Sequence, residues 1–232
     1  MSREESTARP HVAVNMAMSV DGKITTYRRE EIALGTEHDR RLMDELRAGA
    51  HAVIVGSGTV KHDGFPILMR YEDLKARRIS RGLPPHPVNV TMSHALSLPA
   101  NRPFFQHADT ETIVFTTRSA PAARVKRFSR FAEVVVLPRK TLSPRAVLDH
   151  LGNRGFTRVL LEGGGEVHFA FAKEGVIDDV YITMTPRLIG GASAPTIMDG
   201  KGFLADNHLK LHLEKVKRIG DELFLKYSVV RD

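Results

Sequence analysis

Apolar residues follow two rhythms along this chain. The first is a set of short unbroken runs at residues 12–18, 52–55, 88–92, 112–115, 134–137 and 159–161. Such runs, rich in β-branched residues, predict strands buried on both faces, as in a parallel sheet. Pro10 precedes the first run and Asp21-Gly22 follows it, so that strand ends in a turn. The second rhythm is helical. Between residues 36 and 49, Leu42, Met43 and Leu46 share one face, Thr36 and Asp39 stand in capping-box spacing, and Gly49 supplies a stop. Further helices are predicted over residues 122–128, over 143–151 behind a Ser-Pro cap, and over 165–173. Strands and helices in alternation build right-handed crossovers and a mostly parallel sheet, an α/β fold.

Towards the C-terminus the pattern changes to simple alternation. Leu209, Leu211 and Leu213, then Leu223, Leu225, Tyr227 and Val229, interleave with polar residues on either side of Ile219-Gly220-Asp221. That is the mark of an antiparallel hairpin. Residues 180–184 form one more strand, apolar on both faces, and the loop 186–202 joins it to the hairpin with Gly190-Gly191 and Asp199-Gly200 as turns. The stretch 71–87, with Pro84-Pro85, reads as an exposed excursion. One domain over residues 10–232, behind a flexible N-terminus of residues 1–9, accounts for the whole pattern.

Composition narrows the function classes. Apolar residues make up 42% and charged residues 26%, enough to bury a core. The absence of cysteine excludes a disulfide framework, a thiolate nucleophile and any zinc site with a Cys ligand, and it fits a reducing cytoplasm. No apolar run approaches 18 residues, so no membrane association is expected. Thirty-four Lys and Arg against 27 Asp and Glu leave a charge of +7, which suits an anionic ligand, either a phosphate-bearing cofactor or a nucleic acid. No aromatic ladder interleaves the basic residues to stack bases, which argues against nucleic acid as partner. His208 and His212 stand four apart, but on a strand their rings would lie about 13 Å apart, so no metal is expected.

Three stretches carry candidate chemistry. Residues 160–167, Leu-Leu-Glu-Gly-Gly-Gly-Glu-Val, run from a strand through three glycines into a helix. Such a junction lets backbone approach a phosphate while the helix N-terminus supplies free N–H groups. Residues 53–63, Val-Ile-Val-Gly-Ser-Gly-Thr-Val-Lys-His-Asp, repeat the arrangement, and there Ser57 and Thr59 either donate to a phosphate or simply cap the helix. The third, Ser19-Val20-Asp21-Gly22-Lys23, closes the first strand.

Taken together and in order, Asn15 through Ile24, Leu46-Arg47-Ala48, Val55 through Val60 and Leu161 through Gly165 resemble the reductase domain of the riboflavin-pathway deaminase-reductases, and more closely its stand-alone form. The resemblance runs from about Pro10 to Val230. It implies a dihydrofolate-reductase-like fold with helices on both faces of the sheet. It also implies NADPH as cofactor and, as reaction, reduction of the ribose of 5-amino-6-(5-phosphoribosylamino)uracil to its ribityl form.

Carried over by motif, Ala17, Thr59, Asp63 and Gly163, Gly164, Gly165, Glu166, Val167 and His168 would lie along the cofactor, with Thr117 and Arg118 at its 2′-phosphate. Arg47, Ile67, Arg70 and Glu162 would face the substrate, and Asp63 and Glu162 are the candidates for catalytic proton transfer. The chain departs from the family at Asp63-Gly64-Phe65-Pro66, where Asp-Asp-Pro is usual, which opens an alternative: a reductase of the same fold acting on another carbonyl, imine or pterin-like substrate. A homodimer is also expected, paired through residues 180–184 as an exposed edge strand.

Overall fold

In chain order the elements are β1 (His11–Ser19), α1 (Glu37–Gly49), β2 (Ala52–Gly56), α2 (Ser57–His62), α3 (Glu72–Ile79), β3 (Val88–Met92), a 3₁₀ turn (Pro103–Phe105), β4 (Thr112–Thr117), α4 (Ala122–Phe128), β5 (Glu133–Leu137), α5 (Pro144–Asn153), β6 (Arg158–Leu161), α6 (Gly165–Lys173), β7 (Asp179–Thr185), β8 (Leu211–Ile219) and β9 (Glu222–Val229). The computed structural model describes residues 9–30, 32–62 and 64–231. All nine strands form one sheet in the order β5-β4-β3-β2-β6-β1-β7-β9-β8, parallel through β7 and antiparallel beyond it.

The unbroken apolar runs follow from having helices on both faces. Along β2, Ala52 and Ile54 turn toward a core shared with Leu148, Leu151 and Phe171 of α5 and α6. Val53 and Val55 turn the other way, toward Ala50 and Leu160 and toward Val60, Phe104 and Phe128. All five residues of the strand are buried. With two buried faces, neither parity of the strand can be polar.

Two neighbouring strands send their chains in opposite directions. β2 pairs with β6, yet α2 leaves β2 toward one face while α6 leaves β6 toward the other, as Val60 and Phe171 lie in different cores. In an open α/β sheet this reversal leaves a crevice beyond the carboxyl ends of the strands.

Four sequence expectations are corrected here. β7 is not an edge strand: it lies between β1 and β9, with Val180 and Ile182 buried, because the hairpin adds onto it. The edges are β5 and β8, and on β8 Leu211, Leu213 and Val216 are 41%, 46% and 53% accessible. The stretch after Tyr71 is not a mere excursion, since α3 packs on α1 and buries Leu74 and Arg78 completely or nearly so. Thr36 does cap α1, accepting from His38 N at 3.3 Å, but its own N–H is satisfied by Glu222 of β9 (2.9 Å) and not by Asp39. His208 precedes β8 and is not on a strand. Of the expected flexible N-terminus, residues 1–8 lie outside the described residues. Arg9 is held by Asp178 through both terminal nitrogens (2.7 and 2.8 Å). Asp178 is partly buried, which opposes ionisation, yet Arg9 and the Val12 N–H outweigh that and hold its pKa down to about 2.

Candidate active site

A cavity of about 300 Å³ opens at the crevice between β2 and β6. Its floor is the two glycine turns: Gly56 to Thr59 on one side, Glu162 to Val167 on the other. They are tied together, since Gly56 N donates to Gly163 O (2.9 Å) and Glu162 N to Ile54 O (3.0 Å). Gly164 is the N-cap of α6 and carries no side-chain cap. Among the described residues, the N–H groups of Gly164, Gly165 and Glu166 find no acceptor. Unsatisfied donors and the positive end of a nine-residue helix therefore face the cavity. A Cβ on Gly164 would meet nothing within 4 Å, so backbone there lies open to a ligand.

The roof comes from two loops that the sequence leaves far apart. Lys23 Nζ donates to Ala194 O (3.0 Å), Ile24 N to Pro195 O (3.0 Å), and Gly190 N to the Asp21 carboxylate (2.6 Å). Asp21 thus does more than make a turn. Its hydrogen bonds from Ser19, Ile189 and Gly190 hold its pKa down to about 2. The loops so joined bring Ile24, Thr25, Arg29, Pro195 and Asp199 to the cavity, of which Thr25, Arg29 and Pro195 were marked by neither periodicity nor motif.

A buried ion cluster forms the wall toward a second cavity of about 270 Å³. Arg47 grips Glu162 with two charge-assisted bonds (2.7 and 2.6 Å) and reaches Asp44 at 3.0 Å. Asp44, fully buried one turn earlier on α1, also accepts from Arg70 N (2.5 Å) and Arg70 Nη1 (3.1 Å). Burial alone would lower the Arg47 pKa, but Glu162 and then Asp44 raise it above the ordinary guanidinium value. Arg47 and Glu162 each line one cavity, and Thr59 lines both.

The sequence-derived residues divide accordingly. Thr59, Gly163, Gly164, Gly165, Glu166, Val167 and Glu162 line the first cavity, and Arg47, Ile67 and Arg70 line the second. Asp63 lies outside the described residues. Ala17 does not line the cavity: strand alternation presents its neighbour Met16 instead. His168 is fully buried, with Nδ1 at 2.8 Å from Ile197 O, and burial pushes its pKa down, so it is a neutral core imidazole. Thr117 is also buried, its hydroxyl donating to His94 O (3.1 Å), which leaves Arg118 exposed at the end of β4 on the same edge of the sheet. Arg47 lends its guanidinium to Glu162 and Asp44 and not to open solvent. No group of three or more His, Asp or Glu among the described residues could hold a metal.

The RibD C-terminal domain profile matches residues 10–225. The chain belongs to that family. A relative from Archaeoglobus fulgidus, a 2,5-diamino-6-ribosylamino-4(3H)-pyrimidinone 5′-phosphate reductase, is 33% identical over 213 residues, which is 92% of this chain and 95% of its own. The reductase of the same name from Methanothermobacter thermautotrophicus is 32% identical over 225 residues, 95% and 99% of the two chains. Among solved structures, a pyrimidine reductase-like protein from Corynebacterium diphtheriae superposes with a TM-score of 0.82, covering 96% of this chain and 93% of its own at 23% identity. That likeness shows that the two chains share a fold.

Proposed function

We propose that this chain is an NADPH-dependent reductase that converts the ribosyl group of a phosphoribosylaminopyrimidine to the ribityl group in riboflavin biosynthesis. The observation that carries the reading is the α6 N-terminus: three unpaired backbone donors and an open Gly164 at the switch-point cavity, a fit for a pyrophosphate. Gly163 through Val167 and Thr59 would hold the dinucleotide, and Arg118 would meet its 2′-phosphate. When bound, the dinucleotide supplies the hydride.

The second cavity suits the substrate. Arg70 is half exposed there, with Nη1 on Asp44, and its fork can take a phosphate. Glu162 accepts from the aminopyrimidine, Ile67 gives it an apolar wall, and Arg47 is a positioning residue that fixes the Glu162 carboxylate. Because both Glu162 oxygens accept from Arg47, Glu162 orients, and Asp63 is the candidate proton donor. The ribose reduction is common to two ring forms. The names of the relatives from Archaeoglobus and Methanothermobacter favour the 2,5-diaminopyrimidinone, the ring that still carries its 2-amino group, whereas the resemblance in the sequence points to the uracil.

A reductase acting on another substrate is the competing reading, favoured by the unusual loop: Gly64, Phe65 and Pro66 all line the second cavity. Anaerobic assays that follow NADPH absorbance with each phosphoribosylaminopyrimidine separate these readings. Turnover of one ring form is expected, and inertness of both with NADPH bound would pass the site to the other substrate class. No described helix is long and apolar enough to cross a membrane, in keeping with a cytoplasmic enzyme. The homodimer belongs to this reading too, now with β8 as its edge. Sedimentation equilibrium of wild type and Val216→Lys checks it, with dissociation of the variant expected.

A further inference from the structure

The opposite end of the sheet holds a feature that the reductase reading leaves unused. A third cavity, about 310 Å³, opens where β1 and β6 begin, on the face covered by α1 and α3. Parallel register sets His11 beside Arg158 and Ala13 beside Leu160, and places Tyr181 of β7 on the same face. The end of α1 makes one wall. Arg77 on the last turn of α3 and Arg81 in the turn beyond it make another.

What sets this cavity apart is unpaired charge. Arg9, Arg41, Arg47, Arg70 and Arg154 all meet carboxylates. Arg77, Arg81 and Arg158 have neither a side-chain hydrogen bond nor an ion pair among the described residues. The single carboxylate lining the cavity is Glu45, which accepts from Arg41 at 3.4 Å. Nearby Asp179 faces His11 (3.5 Å) and Lys226 (3.7 Å). Three like charges lining one concavity repel one another, and an anion among them relieves that repulsion.

Their placement is also fixed in advance. Arg78, between the two cavity arginines, is fully buried and donates to Arg47 O (2.7 Å), Ala50 O (2.5 Å) and Pro84 O (2.8 Å). Burial lowers its pKa to about 10, so it stays charged at neutral pH and clamps the end of α3 to the end of α1. Arg77 and Arg81 therefore project from a rigid junction, and a site with preset donors loses little freedom on binding. Planar guanidinium forks match phosphate oxygens. The volume is at the small end of ligand clefts, which fits one or two phosphate groups and a small body against the Tyr181 ring.

We propose that this basin binds a small phosphate-bearing anion at a site separate from the catalytic cleft, with Arg77, Arg81 and Arg158 as its ligands. Calorimetric titration with pyrophosphate tests it on the whole chain saturated with NADPH. Two variants are compared with wild type: Arg70→Ala, which removes the guanidinium proposed for the substrate phosphate, and Arg81→Ala/Arg158→Ala. A saturable site should survive in Arg70→Ala and weaken at least about tenfold in the double variant, as loss of two charge-assisted contacts requires. Circular dichroism of the double variant should match wild type, because both side chains are exposed. The proposal is overturned if wild type takes up no pyrophosphate, if the site disappears with Arg70→Ala, or if the double variant titrates like wild type. It is equally overturned if short single-stranded DNA binds the basin and pyrophosphate does not displace it.

Discussion

The two strand-to-helix turns at the cleft look alike in sequence but use their glycines for different ends. In the β2–α2 turn, a Cβ on Gly56 would lie 2.9 Å from Val167 Cγ2, whereas one on Gly58 would meet nothing. In the β6–α6 turn, Gly163 sits at φ 134°, Gly164 is open, and a Cβ on Gly165 would collide with Thr196 O at 2.5 Å and Asp199 at 2.7 Å. Gly56 and Gly165 are thus small because protein packs on them. Gly164 is small where no protein atom does. The turns also differ in anchoring: Glu162 ties the second to α1 through Arg47, while the first is held to that second turn by backbone bonds, Gly56 N to Gly163 O and Glu162 N to Ile54 O. A glycine triplet says where backbone is crowded. Only the neighbours say whether the crowd is protein or ligand.

The anchor should give the largest effect. Arg47→Ala leaves Glu162 buried without its cation and Asp44 with Arg70 alone, and urea unfolding should show a loss of about 3–5 kcal/mol. A loss below 1 kcal/mol would mean that the two turns are equally free. Next comes Gly164→Val, which should retain the fold and weaken NADPH binding by roughly a hundredfold, about 2.7 kcal/mol, in a fluorescence titration. Unaltered binding to the folded variant would take the ligand away from this turn. Gly165→Ala inverts that outcome. Its Cβ meets backbone that cannot rotate away, so the midpoint of unfolding should fall by the equivalent of about 1–3 kcal/mol, with little direct effect on NADPH in the fraction that remains folded.

Smaller effects sharpen the same contrast. Arg118→Ala should bring the NADPH and NADH affinities together by about 1.5 kcal/mol, the low end for a charged hydrogen bond at an exposed site, and an unchanged ratio would remove β4 from the cofactor path. Gly58→Ala should be the mildest change and of opposite sign. It lies in α2 with open space around its Cβ, so calorimetry should find a gain of about 0.4–1 kcal/mol.

Much of this was readable along the chain. The parallel strands were visible as unbroken apolar runs, and the two glycine turns because each interrupts such a run, but β5, expected to be buried on both faces, is an edge strand with Val136 43% accessible, since among the described residues no strand pairs along its outer side. Arg47, Arg70 and Glu162, which the resemblance grouped as substrate-facing, lie in one ion cluster with Asp44, a pairing that was not foreseen. Asp44 carried only a faint signal, its i,i+3 spacing to Arg47. His168 was drawn toward the cofactor by motif position, but helical periodicity turns its ring into the core. Ala17 stands one step of strand alternation from Met16, which lines the cavity in its place.

By itself, then, the sequence determined the parallel strands, the helices α1, α4, α5 and α6, the terminal hairpin and the glycine turns, since each follows from local periodicity or from backbone freedom at single residues. Tertiary structure alone decided the rest. It made β7 internal by docking β9 beside it, gave Thr36 a capping partner 186 residues away in Glu222, closed the cleft by joining the loops around Lys23 and Ala194, and gathered Arg77, Arg81 and Arg158 into one basin. Those contacts depend on which buried donors and acceptors meet once the sheet has assembled. Local pattern does not encode them, because the free energy that selects each partner exists only when both have left water.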